Sequence, residues 1–174
     1  QMRRALKPDG LMLAAGLGGA TLSELRAALA EAEIAETGGL SPRVAPMAEI
    51  RQMGALLQRA GFAMPVADSD RIEASYPDAL ALMRELRAMG ETNVMHARRR
   101  APLRRAVLAR AAAIYAERFP AEGGRVRASF EIVTLTGWSP GPGQPAPKRP
   151  GSAEARLADA LGVAELKAGE KAGR

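Results

Sequence analysis

The chain has 174 residues, long enough for one domain with a sizeable core, and carries a net charge of +6. It contains no cysteine and a single histidine, His96, which excludes disulfides, thiolate metal sites, cysteine nucleophiles and multi-histidine metal centres. Only 3% of residues are aromatic against 47% apolar, no apolar run approaches the ~20 residues of a membrane span, and no signal-peptide pattern is present. The positive balance permits an acidic partner, but much of it sits on helical arginines and a lysine-bearing tail, where a solvated basic surface is the plainer account.

Leu6-Lys7-Pro8-Asp9-Gly10 ends a short basic helix in a tight turn. Pro8 fixes φ, and Asp9-Gly10 supplies the reversal and the freedom at positive φ. Leu11 to Ala15 follow as a buried strand, which needs neighbours on both sides. Only a short helix precedes it, so the expectation is the back half of an α/β domain. Gly16-Leu17-Gly18-Gly19-Ala20 reads as a loop, and Thr21-Leu22-Ser23-Glu24 has the spacing of a capping box. Leu22, Leu25, Leu29 and Ala32 recur at helical spacing, which predicts a helix to about Glu36 that stops at Gly38-Gly39.

Pro46 suits the first position of a second helix, with Ile50, Met53, Leu57 and Ala60 as its buried stripe and Gly61 as its end. Phe62 to Val66 reads as a strand that Pro65 confines to an edge or a bulge. Asp68-Ser69-Asp70 bends the chain, and Ile72, Ala74 and Tyr76 alternate in a further extended stretch. A third helix starts near Asp78 and buries Leu82, Met83, Leu86 and Met89 before Gly90. A fourth runs from Pro102 to Phe119 with Leu103, Val107, Ala111 and Ile114 inward. Val126 to Thr136 is the clearest strand: Val126, Ala128, Phe130 and Ile132 share one face, and Arg127, Ser129 and Glu131 the other. Between Ser139 and Gly151 lie five prolines and three glycines, which is linker chemistry. Ser152 to Leu161 fits an amphipathic turn or two, followed by a charged tail.

Three features bear on chemistry. The strand–glycine–helix unit around Gly16, Gly18 and Gly19 imitates a nucleotide-binding loop. It lacks the full fingerprint, however, and no acidic residue ends a second strand about 20 residues on to hold a ribose. A loop beside a pocket is the better reading. Arg98-Arg99-Arg100, continued by Arg104, Arg105 and Arg110, places positive charge at a helix start against the macrodipole. Docking to an acidic surface and ordinary arginine-rich surface both account for it. Nucleic acid is not expected, since no aromatics interleave to stack bases. After Gly90, Thr92 and Asn93 sit on a loop as either binding residues or a solvated turn. Asp68 and Asp70 read as turn formers, and no nucleophile–base–acid set can be assembled. The chain thus offers no identifiable catalytic residue and no metal site.

Several segments together resemble class I S-adenosylmethionine-dependent methyltransferases. Leu6-Lys7-Pro8-Asp9-Gly10 is similar to the turn before that family's fifth strand, and Thr21 to Arg26, Gly39 to Arg43 and Arg59 to Phe62 continue the pattern in order. Leu82 to Asn93 narrows it to the branch holding malonyl-carrier-protein methyltransferases and the methyltransferase-like assembly factors of respiratory complex I. Gly137-Trp138, Gln144, Pro147 and Gly151-Ser152-Ala153 resemble the extension of the assembly-factor group, so the resemblance covers residues 1–153.

The resemblance implies an α/β fold: the C-terminal part of a seven-stranded Rossmann-like sheet, with helices 78–89 and 102–119 inserted before the last, antiparallel strand. Residues 1–137 would be that portion and 138–174 a Pro/Gly-rich tail. S-adenosylmethionine would be the cofactor, its main loop and acidic ribose ligand lying upstream, so that this chain alone is expected to be inactive. Gly16, Gly18, Gly19, Tyr76, Met89, Gly90 and Asn93 become substrate-pocket candidates. The implied partners are a protein or carrier-protein substrate and a complex I subunit. The implied location is the bacterial cytoplasm, including the periphery of the inner membrane. A non-methylating assembly factor and a free-standing basic interaction module are the alternatives.

Overall fold

A computed structural model describes residues 1–145, 152 and 155–164. Its elements are α1 (Met2–Ala5), β1 (Leu11–Leu17), α2 (Ser23–Thr37), α3 (Ile50–Arg59), β2 (Ala63–Tyr76), α4 (Ala79–Ala88), α5 (Arg105–Arg118), β3 (Pro120–Ala121), a 3-10 turn (Glu122–Gly124), β4 (Arg125–Trp138) and α6 (Leu157–Leu161). The chain divides into two units, Gln1–Pro142 and Gly143–Arg174. In the second, the described residues include α6, ended by Gly162 at φ 64. The remainder of the expected linker (146–151) and of the charged tail (165–174) lies outside the described residues.

The first unit is an α/β structure with an open antiparallel sheet in the order β1-β4-β2, the short β3 pairing with the start of β4. β4 is antiparallel to both neighbours, so β1 and β2 run parallel and deliver their carboxyl ends to the same side. β2 runs further than β1, ending opposite Val126 where β1 ends opposite Ile132.

Several sequence expectations are corrected. The turn at Lys7–Gly10 closes with Gly10 N donating to Lys7 O at 3.0 Å, but Asp9, at φ 59, takes the left-handed position. β1 runs through Gly16 and Leu17, because the ladder with Val133 and Ile132 continues there. β1 is not a buried strand: only Met12 is buried, while Leu11 and Leu13 are exposed. Among the described residues it pairs along one edge only. β2 is continuous, and Asp68-Ser69-Asp70 lie in mid-strand opposite Thr134, Val133 and Ile132. Pairing with a long central strand outweighs the local turn preference of those residues. Pro65 falls inside a register shift between Ala63 and Val66, on a strand at the sheet edge, as its missing N–H requires.

The capping box does not form at Thr21-Glu24; both side chains are taken by β4, and α2 starts without a side-chain cap. Pro46 precedes α3, which begins at Ile50 with a capping box between Glu49 and Gln52. α4 is capped as expected, Asp78 Oδ1 accepting from Ala81 N at 2.7 Å.

The main core joins the α2 stripe Leu22, Leu25, Leu29 and Ala32 to Leu82 and Leu86 of α4, Val107, Ala111 and Tyr115 of α5, and Val126 and Ala128 of β4. Tyr115 is fully buried and donates to Arg127 O at 2.8 Å, which satisfies its hydroxyl. On the opposite face of the sheet, Met12, Leu57 and Phe62 form a smaller cluster against Leu6 and Leu135.

Candidate functional site

The loop leaving β1 is stitched onto β4. Gly18 N donates to Glu131 O at 2.8 Å, Leu22 N to Ser129 O at 2.8 Å and Thr21 N to Gly18 O at 3.0 Å. Ala20 N donates to Glu131 Oε2 at 2.8 Å, and Thr21 Oγ1 accepts from Glu131 N at 3.0 Å. Gly18 is a packing requirement: a Cβ there would lie 2.6 Å from Glu131 Oε2. A Cβ on Gly19 would stand 3.3 Å from Glu49 Cγ and 3.4 Å from Met47 O. With these amides turned inward, the loop does not fit a primary cradle for S-adenosylmethionine, which needs free N–H groups facing the ligand.

Two buried acids fix α2 at its two ends. Glu24 accepts from Ser129 N at 3.2 Å and from Ser129 Oγ at 2.5 Å, and Arg71 donates to the same hydroxyl at 2.8 Å. Burial pushes the Glu24 carboxyl up, but these hydrogen bonds outweigh it and hold the group below its usual range. Glu33, 2% exposed, accepts from Arg43 Nη2 at 2.6 Å and from Ser41 N at 3.0 Å. The Arg43 hydrogen bond is the main cause that lowers its pKa. Glu33 thereby clamps residues 41–43 against α2.

Above α2, next to the loop from β1, lies a cavity of about 350 Å³. Its floor is Leu22, Leu25 and Leu29, its walls include Val44, Met47, Met83, Leu86 and Leu103, and its rim carries Arg43, Arg87, Arg98 and Arg99 with Glu91, Thr92 and Asn93. Arg43 is committed to Glu33; among the described residues Arg87, Arg98 and Arg99 form no ion pair within 4.0 Å, and Arg99 acts on Glu33 from further off. An apolar floor under a rim of guanidinium groups suits an anionic group carried on an apolar stem. The lining holds no histidine or cysteine, and among the described residues no cluster of three His, Cys, Asp or Glu side chains has metal-binding geometry. Such a lining suits binding and orientation better than proton transfer.

Of the seven pocket candidates, Asn93 lines this cavity. Gly16 is in β1 with open space around it, and Gly18 and Gly19 shape the adjoining loop. Tyr76 is in the core, its hydroxyl donating to Glu85 Oε1 at 3.3 Å. Its pKa is raised by burial and by Glu85. Met89 is exposed at the end of α4, and Gly90, at φ 84, ends that helix. Sequence reasoning placed Leu22, Leu25 and Leu29 in the core stripe and gave no pocket role to Arg43, Met83 or Arg87. The Arg98–Arg100 block was the available signal, but nothing in the sequence shows that it folds back over α2.

No protein-family model matches the chain. It is 40% identical over 166 residues to the mitochondrial arginine-hydroxylase NDUFAF5 of Danio rerio, covering 95% of the chain and 51% of that protein. The Homo sapiens counterpart is 40% identical over 153 residues, 88% of the chain and 44% of that protein. The malonyl-[acyl-carrier protein] O-methyltransferase of Xylella fastidiosa (strain M23) is 37% identical over 138 residues, 79% of the chain and 44% of that protein. The chain is thus related over most of its length to methyltransferase-like proteins of these two groups, and it spans about half the length of the curated relatives it matches.

Proposed function

We propose that this chain, as a relative of the NDUFAF5 arginine-hydroxylases and the malonyl-[acyl-carrier protein] O-methyltransferases, is the acceptor-binding part of a methyltransferase-like protein linked to assembly of respiratory complex I. The observation that carries the reading is the arginine-rimmed apolar cavity beside the carboxyl end of β1, the side of an α/β sheet where ligands bind. In this reading β1, β2 and β4 belong to a larger Rossmann-like sheet of seven strands, and α4 and α5 are its insertion. The free edge of β1 and the exposed Leu11 and Leu13 support further neighbours in the parent protein.

S-adenosylmethionine, which supplies an electrophilic methyl group, is then held by residues other than the loop of Gly16, Gly18 and Gly19. This chain's own contribution is alignment: Leu22, Leu25 and Leu29 seat the stem of the acceptor, and Arg87, Arg98 and Arg99 fix its charged end. Asn93 adds a hydrogen bond at the rim, and Gly90 ends the helix that carries Leu86 and Arg87 into the lining. The rim repels a guanidinium, so the acceptor is an anionic acyl group on a protein or carrier protein, not an arginine side chain. The protein works in the bacterial cytoplasm, at the inner-membrane periphery where complex I is assembled.

The test is label transfer from methyl-labelled S-adenosylmethionine by the whole parent protein, offered either malonyl-carrier protein or a complex I-containing extract. Transfer that Arg87→Glu with Arg98→Glu reduces at least tenfold supports the reading. Undiminished transfer in that variant refutes it. A second reading, an assembly factor that transfers no methyl group, is favoured by coverage: the NDUFAF5 relatives match 88–98% of the chain, the methyltransferases 79–80%. Normal complex I assembly with a parent that cannot bind S-adenosylmethionine would favour it.

A further inference from the structure

The cavity has a roof in two layers of unequal strength. The inner layer, residues 41–43, is clamped by buried Glu33 through Arg43 and the Ser41 amide. The outer layer follows α4 and contributes Glu91, Thr92, Asn93, Arg98 and Arg99 to the lining. It touches the inner layer through two exposed hydrogen bonds, Asn93 Nδ2 donating to Pro42 O at 2.8 Å and Arg99 N to Ser41 Oγ at 3.4 Å, and the Arg99 charge adds a weaker electrostatic attraction to Glu33. Its other bonds are internal, Met95 N to Asn93 Oδ1 and Arg98 Nη1 to Met95 O, and travel with it, or lie at the hinge, where Glu91 N donates to Leu86 O at 2.9 Å and Thr92 N to Gly90 O at 2.8 Å. Val94 is 80% exposed, so it adds no apolar seal. The segment is bounded by Gly90 at φ 84, with open space around it, and by Pro102, after which Leu103 packs on the core.

We propose that residues 91–101 are a gate over the cavity, hinged at Gly90 and Pro102 and latched to residues 41–43 by Asn93 and Ser41. A charge-assisted bond to a buried carboxylate outlasts two solvent-exposed neutral ones. The gate therefore opens at the outer latch while residues 41–43 stay on Glu33. Opening carries Arg98 and Arg99 off the rim, and closing brings them onto a bound anion. The proposal rests on the cavity being the acceptor site, but its test reads opening alone. A gate that opens over a cavity taking no acceptor would defeat the functional reading and leave this one standing.

The chain has no cysteine, so one introduced thiol reports one place. Leu29→Cys puts it on the cavity floor; Ala111→Cys puts it in the core, fully buried. With a disulfide reagent under native conditions, Leu29→Cys should react at least tenfold faster than Ala111→Cys. Adding Asn93→Ala and Ser41→Ala should speed the floor thiol roughly fivefold and leave the core thiol unchanged. Equal rates at the two thiols, or no response to the latch substitutions, would overturn the gate. The unsubstituted chain gives an independent reading by hydrogen exchange. The amides of Met95 and Arg99 should exchange at least tenfold faster than those of Ser41 and Ser129, which bond to Glu33 and Glu24. A Ser41 amide as fast as that of Arg99 would also overturn it.

Discussion

Replacing Gly18 by alanine separates a close-packed loop from an open one. The added methyl would sit 2.6 Å from Glu131 Oε2 and 2.7 Å from both Glu131 Cδ and Val133 Cγ2. Gly18 has no positive φ, so the cost comes from contact, not from backbone strain. The carboxylate must move, and it then leaves Ala20 N, which it accepts from at 2.8 Å. Losing a charge-assisted hydrogen bond costs about 1.5–3 kcal/mol, and overpacking costs about 1–3 kcal/mol. Partial relaxation overlaps the two, so a total of about 2–4 kcal/mol is expected, lowering Tm by roughly 5–15 °C for a unit of this size. Gly16→Ala is the control: it has nothing within 4 Å of its would-be Cβ and should change stability by less than about 0.5 kcal/mol. Urea unfolding followed at Trp138 measures both. The combination Gly18→Ala with Glu131→Ala should be less destabilised than the sum of its parts, since the contact with the carboxylate is removed and only that with Val133 Cγ2 remains. Equal stability of the Gly18 and Gly16 variants would refute the reasoning and restore an open, ligand-facing loop.

Glu33→Gln should cost about 3 kcal/mol because it leaves Arg43 without its buried partner, and a denaturation curve will read it. Glu24 and Glu33 both have lowered folded-state pKa values. Their stabilisation is therefore present above the ordinary carboxylate range and lost as pH falls below it, and Glu24→Gln should flatten the fall of unfolding free energy on acidification. Burial pushes the Tyr115 phenol far above its usual value, so in a Tyr76→Phe background phenolate absorbance should develop only with unfolding as pH rises past 10; ionisation of Tyr115 in the native chain would contradict its packing. Arg118→Ala removes the exposed pair with Glu31 and should cost below about 1 kcal/mol by thermal unfolding, less at high salt.

The helices were legible because their evidence is local. The periodicity of Leu22, Leu25, Leu29 and Ala32, the Asp78 cap and the alternation of Val126 and Ala128 hold in the structure because 3.6- and 2-residue periods are properties of the chain itself. The segment-by-segment likeness was legible too, and the relatives bear it out. Thr21 and Glu24 show where such evidence stops. Their spacing is right for a capping box, yet β4, more than 100 residues away, takes both side chains. Asp68-Ser69-Asp70 follow the same logic, turn formers drawn straight by a long central partner.

By itself the sequence determined the α2 stripe, the edge position of the Pro65 strand and the absence of cysteine and multi-histidine chemistry; of the stripe expected for α3 only Leu57 is buried, with Ala60 exposed, and Met89 is exposed at the end of α4. Tertiary structure alone decided that Arg43 from one loop and Arg98 and Arg99 from another share the rim of one cavity over α2, and that Glu33 underlies it. The physical reason is range. Periodicity and capping act over one turn of chain, whereas a binding site is made where packing brings distant loops together, and no local preference encodes that meeting.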